Sequence, residues 1–195
     1  RRFWLLNHFG RFLDLDLMRD CLCSRTLDST AYPRIFFFSD DPHAGPADVE
    51  LRKAVSLPVP FPPLTLLPQS SGLVAFETRD TDEPRYMTSL PDRHLTFNAR
   101  AIKGWELYLP VDEEHLHAFV LLGQPALTSI HDTGGHPLAP LEFKDNFQIV
   151  FGKTTLPLLL NFPAFAEVAH LAPGTESTLE LTDGKTAVTL VVTRH

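Results

Sequence analysis

The sequence predicts an all-β chain assembled from a recurring unit of four short strands. Three observations carry that prediction. The 195 residues include 17 Pro, with 15 Phe against 2 Met, and show no long helical period, a composition suited to short strands joined by turns. Residues 11–17 alternate apolar and polar side chains with a period of two. The same order of strands and turns then returns along the chain.

The first copy, residues 3–38, runs Phe3–Leu6, the turn Asn7-His8-Phe9-Gly10, Arg11–Leu17, Cys21–Leu27 and Arg34–Phe38. In its second strand Phe12, Asp14 and Asp16 fall on one side and Leu13, Leu15 and Leu17 on the other, as in a strand with one buried face. The second copy, 73–111, has Leu73–Phe76, a polar turn over Thr78–Pro84, then Arg85–Leu90, His94–Ala99 and Trp105–Leu109. A third lies at 119–152, with Phe119–Leu122, Ala126–Ile130, Pro137–Phe143 and Phe147–Phe151. A fainter fourth lies at 156–193, with Leu156–Leu160, Ala164–His170, Ser177–Leu181 and Ala187–Val192, where Asp183-Gly184 supplies a tight hairpin turn. The step from the first copy to the second is nearly twice the later steps. Its surplus, residues 39–72, is rich in Pro (Pro58, Pro60, Pro62, Pro63, Pro68) and reads as a degenerate copy or a connection. A short helix over Asp48–Val55 is one option there.

Three such units close a β-trefoil, and four or more close a small β-propeller. The even spacing of the later copies favours a three-unit, trefoil-like body at 73–195, preceded by an N-terminal β unit with its Pro-rich connection at 1–72. A single domain over 1–195 is the alternative. The segments Arg85-Tyr86-Met87-Thr88, His94-Leu95-Thr96-Phe97-Asn98-Ala99-Arg100 and Gly104-Trp105-Glu106-Leu107-Tyr108 together resemble the fascin-like β-trefoil repeat. Gly10-Arg11-Phe12-Leu13 and Tyr32-Pro33-Arg34-Ile35-Phe36 echo it in the first copy, and Phe147 stands where Trp falls in the third. The resemblance implies a trefoil barrel with Trp105 and Tyr108 in its core, and a protein-binding role that in this family includes actin. The Gln-x-Trp signature of ricin-type trefoils is absent.

The formal net charge of −7 opposes nucleic acid as a partner, because phosphate binding needs clustered Lys and Arg. It equally disfavours an anionic membrane surface, and no apolar run is long enough for membrane insertion. Arg1 in place of an initiator Met implies a piece of a larger chain or a processed end. The two cysteines, Cys21 and Cys23, are one residue apart, too close for an ordinary disulfide. The lack of a disulfide framework favours a cytoplasmic setting.

Each chemical motif has a plainer reading beside it. Asp132-Thr133-Gly134 is the aspartic-protease triplet, but Gly135 follows it and no second triplet exists, so a turn explains it. His115 and His117 would share a face on a strand, and His131 and His136 bracket the Gly-rich turn, yet no zinc spacing is matched. Asp14 and Asp16 suit a sugar hydroxyl or a cation as well as a solvated strand face. No Gly-x-Ser-x-Gly elbow or phosphate-binding loop is present. The expectation is therefore a non-enzymatic binding module with no cofactor and no resident metal, recognising carbohydrate through loops at one end of the barrel. A protein ligand is the alternative, as is a His-lined metal site or enzyme. The candidate ligand-binding residues are Asp14, Asp16, Asp92, His94, His131, Asp132 and His136.

Overall fold

The computed structural model describes residues 1–28, 31–55, 61–78 and 80–195. They form two compact units, unit 1 from 1–26 and 33–112 and unit 2 from 27–32 and 113–195. Residue 72, where the sequence places a boundary, lies instead in the short connection between two paired strands of unit 1. No helix among the described residues is long and apolar enough to cross a membrane.

Unit 1 is built from β1 (Arg2–Asn7), β2 (Phe12–Asp16), β3 (Cys21–Arg25), β4 (Ile35–Phe38), β5 (Ala47–Val49), β6 (Leu51–Lys53), β7 (Leu64–Pro68), β8 (Val74–Thr78), β9 (Arg85–Ser89), β10 (Leu95–Ala99) and β11 (Tyr108–Asp112). Antiparallel pairing follows the order β10-β9-β8-β11-β1-β2-β3. An isolated bridge, Cys23↔His94, then brings the last strand back towards the first, where the Ser24 N–H donates to the Arg93 carbonyl at 2.9 Å. The sheet is thus a nearly closed barrel. β4 and β6 extend from β1, and β7 and β5 from β8.

The two-residue period sets the core. Phe3 and Leu5 of β1, Leu13 and Leu15 of β2, Leu22, Phe37, Phe76, Met87 and Tyr108 form one buried cluster. Trp4, on the opposite face of β1, is also buried, and its indole N–H donates to the Pro33 carbonyl at 2.9 Å. Trp105 does not close the core. It stands in a 3₁₀ turn, Gly104–Glu106, 41% exposed, with its ring 5.5 Å from Phe9. The buried anchor of that motif is Glu106, whose carboxylate accepts from the Thr88 hydroxyl at 3.0 Å and the Lys103 N–H at 2.8 Å. Tyr108 is buried as expected, and burial raises the pKa of its phenol. Around 48–55 the chain forms β5 and β6 rather than a helix, because pairing with β7 and β4 decides a segment of weak local preference. Pro58 and Pro60 lie outside the described residues.

Unit 2 carries α1 (Glu113–Gly123), β12 (Thr128–Asp132), β13 (Pro137–Leu138), β14 (Glu142–Lys144), β15 (Gln148–Phe151), β16 (Thr154–Pro157), α2 (Leu158–Asn161), a 3₁₀ segment Phe162–His170, β17 (Glu176–Thr182) and β18 (Ala187–Arg194). Its strands make two small antiparallel sheets, β13-β12-β18-β17 and β14-β15-β16. Asp183-Gly184 turns the β17–β18 hairpin as expected, with Gly184 at φ 96°. Three expected strands are wholly or mostly helical, Leu158–Leu160 of the expected Leu156–Leu160 lying in α2, so the four-strand copy does not recur here. Phe119–Leu122 lies inside α1, whose first turn carries Glu113 and Glu114, acids that suit a helix N-terminus. Ala164–His170 lies in the 3₁₀ segment, which has Pro163 in its first turn and continues in alanines. A short apolar run has no period of its own to separate the two states.

Candidate functional site

The barrel seam carries a cleft of about 460 Å³ in unit 1, bordered by the β2–β3 hairpin and the β9–β10 turn. Both hairpin ends are shaped by an aspartate. Asp16 Oδ1 accepts from the N–H groups of Met18 and Arg19 at 3.0 and 3.2 Å, turning the chain after β2. Asp92 Oδ1 accepts from the His94 N–H at 3.1 Å, and its Oδ2 lies 3.1 Å from His94 Nδ1. That backbone hydrogen bond, then the His94 ring, holds the Asp92 carboxyl below the usual range. Each turn also places a non-glycine residue in the left-handed region, Asp20 at φ 50° and Arg93 at φ 76°.

Beneath the cleft is Asp14. Its expected place on a solvated strand face is corrected: its side chain is 1% exposed. Arg25 donates to Oδ2 from Nε at 2.8 Å and lies 2.6 Å away through Nη2. Oδ1 accepts from the Arg34 N–H at 2.9 Å and the Leu15 N–H at 2.8 Å, with Arg34 Nη1 at 3.8 Å. The two guanidiniums remain partly exposed on the cleft wall. Arg19 and Arg93 stand on the same rim. Four guanidiniums therefore outnumber the three carboxylates of Asp14, Asp16 and Asp92, in a chain whose net charge is −7.

The arginines are what sequence reasoning missed. Arg25 and Arg34 lie eleven and twenty positions from Asp14, and only the strand pairing of β2 with β3 and the return of β4 bring them together. The residue alternation of β3 was a usable signal, since it puts Cys21, Cys23 and Arg25 on one face.

Cys21 and Cys23 are free and half-buried in this cleft. Burial pushes the Cys23 thiol up from 9.0 to about 11, with the Asp14 carboxylate adding to the rise and Arg25 opposing it. At pH 8 that lowers the thiolate fraction about 100-fold, and the greater nucleophilicity of a more basic thiolate returns about tenfold. Alkylation of Cys23 in a Cys21→Ser chain should therefore run at least about tenfold slower than that of a solvent thiol. The rate should keep rising with pH towards about 11; a plateau before pH 9 would contradict the burial.

His131, Asp132 and His136 belong to unit 2, in a hairpin of their own. Asp132 Oδ1 accepts from the N–H groups of Gly134 and His136, both at 2.9 Å, and its Oδ2 lies 3.1 Å from His136 Nδ1. The backbone bond from His136 leads in lowering the Asp132 pKa. All of this ties one exposed turn, the plainer reading of Asp-Thr-Gly-Gly. His131 sits on β12.

His115 and His117 do not share a face. On α1 they diverge, His115 stacking flat on Phe162 with ring centroids 4.0 Å apart and His117 bordering a surface cavity with His170. Burial lowers the His117 pKa, helped by the positive charge of Arg194.

Comparison with protein-family models, curated proteins and solved structures finds no match for this chain, so its functional reading stands on the geometry above.

Proposed function

We propose that unit 1 is a non-enzymatic binding module whose seam cleft takes an anionic saccharide. The observation that carries this reading is the convergence of Asp16, Asp92 and His94 with the guanidiniums of Arg19, Arg25, Arg34 and Arg93 around one cleft of about 460 Å³. That volume is in the range of small-ligand sites. Carboxylate oxygens and imidazole accept or share hydroxyl protons, as sugar hydroxyls require, while guanidinium forks pair with a carboxylate or sulfate group. No aromatic side chain lines the cleft among the described residues, so the acidic group, rather than ring stacking, supplies the main recognition. The nearly closed barrel-like sheet of unit 1 is the scaffold of this proposal, with hairpin ends at the seam serving as its binding loops.

Titration of ¹⁵N-labelled chain with an oligogalacturonate and with the matching neutral oligosaccharide tests the reading. The acidic sugar should saturate and shift the amides of residues 16–25 and 92–94, and the neutral one should bind at least about tenfold more weakly. Arg93→Gly is the informative variant. Glycine suits φ 76°, so the hairpin persists while one guanidinium is lost, and affinity should fall about tenfold or more. Equal binding of both sugars, or no shifts at these amides, would reject the proposal.

A protein partner is the second reading, favoured by Leu17 and Met18 on the cleft rim, with Met18 96% exposed. Its mark would be a complex lost in Met18→Ser and kept in Arg93→Gly.

A further inference from the structure

We propose that the free edge of β17 in unit 2 takes up an extended, basic segment of a partner protein as an added strand. β17 (Glu176–Thr182) ends the sheet β13-β12-β18-β17 and pairs along its whole length with β18. In an antiparallel ladder, alternate residues of a strand bond to opposite neighbours. Thr182 fixes which residues face outward. Its N–H donates to Asn161 Oδ1 and its carbonyl accepts from Asn161 Nδ2, both at 2.8 Å. The backbone groups of Glu176, Thr178 and Glu180 therefore also point away from β18, and all three residues are exposed. The Asn161 amide stands where the peptide group of a neighbouring strand would sit. The edge is thus closed at Thr182 and open over 176–180.

The open stretch is acidic. Glu176, Thr178 and Glu180 share the face opposite buried Leu179 and Leu181, and the Glu180 carboxylate accepts from the Thr189 hydroxyl of β18 at 2.9 and 3.0 Å. In strand addition main-chain hydrogen bonds supply affinity and alternate side chains supply selectivity. Lys or Arg opposite Glu176 and Glu180 completes two favourable cross-strand pairs. A second copy of the chain does not fit. A two-fold axis at Thr178 sets Glu176 of one copy against Glu180 of the other, and like charges directly opposite repel. An axis at Leu179 sets Glu176 against Thr182, where Asn161 already sits. Edge charges keep like edges apart, and these two also select a strand of opposite sign.

The test is titration of the ¹⁵N-labelled full chain with the capped peptide Thr-Lys-Val-Thr-Val-Lys-Thr and with its counterpart carrying Glu for both Lys. The basic peptide should bind saturably and slow amide exchange at Glu176, Thr178 and Glu180 at least about tenfold. The acidic peptide should bind at least about tenfold more weakly, and Glu176→Gln combined with Glu180→Gln should weaken the basic one about threefold or more. Thr178→Pro removes an outward N–H that β18 does not use, a change an edge strand tolerates, and should abolish binding. Should that variant fail to fold, the paired Gln substitutions and the acidic peptide decide. No saturable binding, exchange slowed at other strands, equal affinity for the two peptides, or protection of β17 by self-association of the chain alone would overturn the proposal.

Discussion

Trp4→Ala is expected to destabilise unit 1 by ~3–5 kcal/mol, while Trp105→Ala should change stability by no more than about 1 kcal/mol. Trp4 is 1% exposed in the middle of β1, a strand that pairs along five residues with β11. Truncation removes the largest buried side chain of the molecule and leaves a void that a paired strand cannot collapse to fill. It also strips the Pro33 carbonyl of its indole donor. Trp4→Phe separates these contributions, since it restores most of the apolar volume but not the donor. Its cost should be about 1–3 kcal/mol, that of an unmet buried acceptor plus a smaller void. Trp105 packs mainly on Phe9 in an exposed turn, so its removal opens the surface rather than a cavity. Urea unfolding followed by circular dichroism checks all three variants. Fluorescence gives an independent check, because Trp105→Phe should leave only the blue-shifted emission of a buried indole. A cost for Trp105→Ala matching that of Trp4→Ala would invert the assignment.

Trp105, expected in the core and found in an exposed turn, shows where the sequence was legible and where it was not. Outside residues 39–72, where pairing decided β5, β6 and β7, strand positions in unit 1 follow from local signals. β1, β2, β8 and β9 lie where the alternation and turn residues place them, and the Asn7-His8-Phe9-Gly10 turn forms with Asn7 Oδ1 accepting from the Phe9 and Arg11 N–H groups, both at 3.0 Å. Which face of a strand becomes interior is not local, because alternation marks two faces without saying which is covered. β1 and β2 are buried on both faces, so Asp14, read as solvated, is enclosed. Site residues divide in the same way. Asp16, Asp92 and His94 were recognisable as polar groups at hairpin ends. Their convergence depends on the Cys23↔His94 bridge between strands distant in sequence, which no window along the chain contains. In unit 2 the apolar run before Gly123 was ambiguous by period, although Glu113-Glu114 ahead of it and Gly123 at its end were helix boundary signals.

Asp14→Ala should cost about 2–4 kcal/mol, less than the 3–5 typical when one partner of a fully buried ion pair is removed. The discount follows from exposure: the Asp14 side chain is 1% exposed, but those of Arg25 and Arg34 are 46% and 30% exposed and can rehydrate once the carboxylate is gone. What cannot rehydrate easily is the backbone tie. The buried Leu15 N–H and the part-buried Arg34 N–H lose their acceptor at 2.8 and 2.9 Å, and an unmet buried donor accounts for about 1–3 kcal/mol of the loss. Asp14→Asn keeps an oxygen for those N–H groups but puts a donor NH₂ where Oδ2 accepted from Arg25, so it should retain more of the stability than Asp14→Ala while freeing both guanidiniums. Saccharide affinity should then fall in Asp14→Asn although the fold stands, because Arg25 and Arg34 no longer have an anion fixing them at the cleft wall. The Cys23 thiol reports the same event. Loss of the Asp14 charge removes the second largest cause of its raised pKa, so alkylation at fixed pH should quicken in Asp14→Asn. Full affinity in Asp14→Asn would mean the arginines are held by the ligand alone. Lost affinity with native-like unfolding and faster alkylation would mean that one buried carboxylate orders the guanidiniums before any ligand arrives.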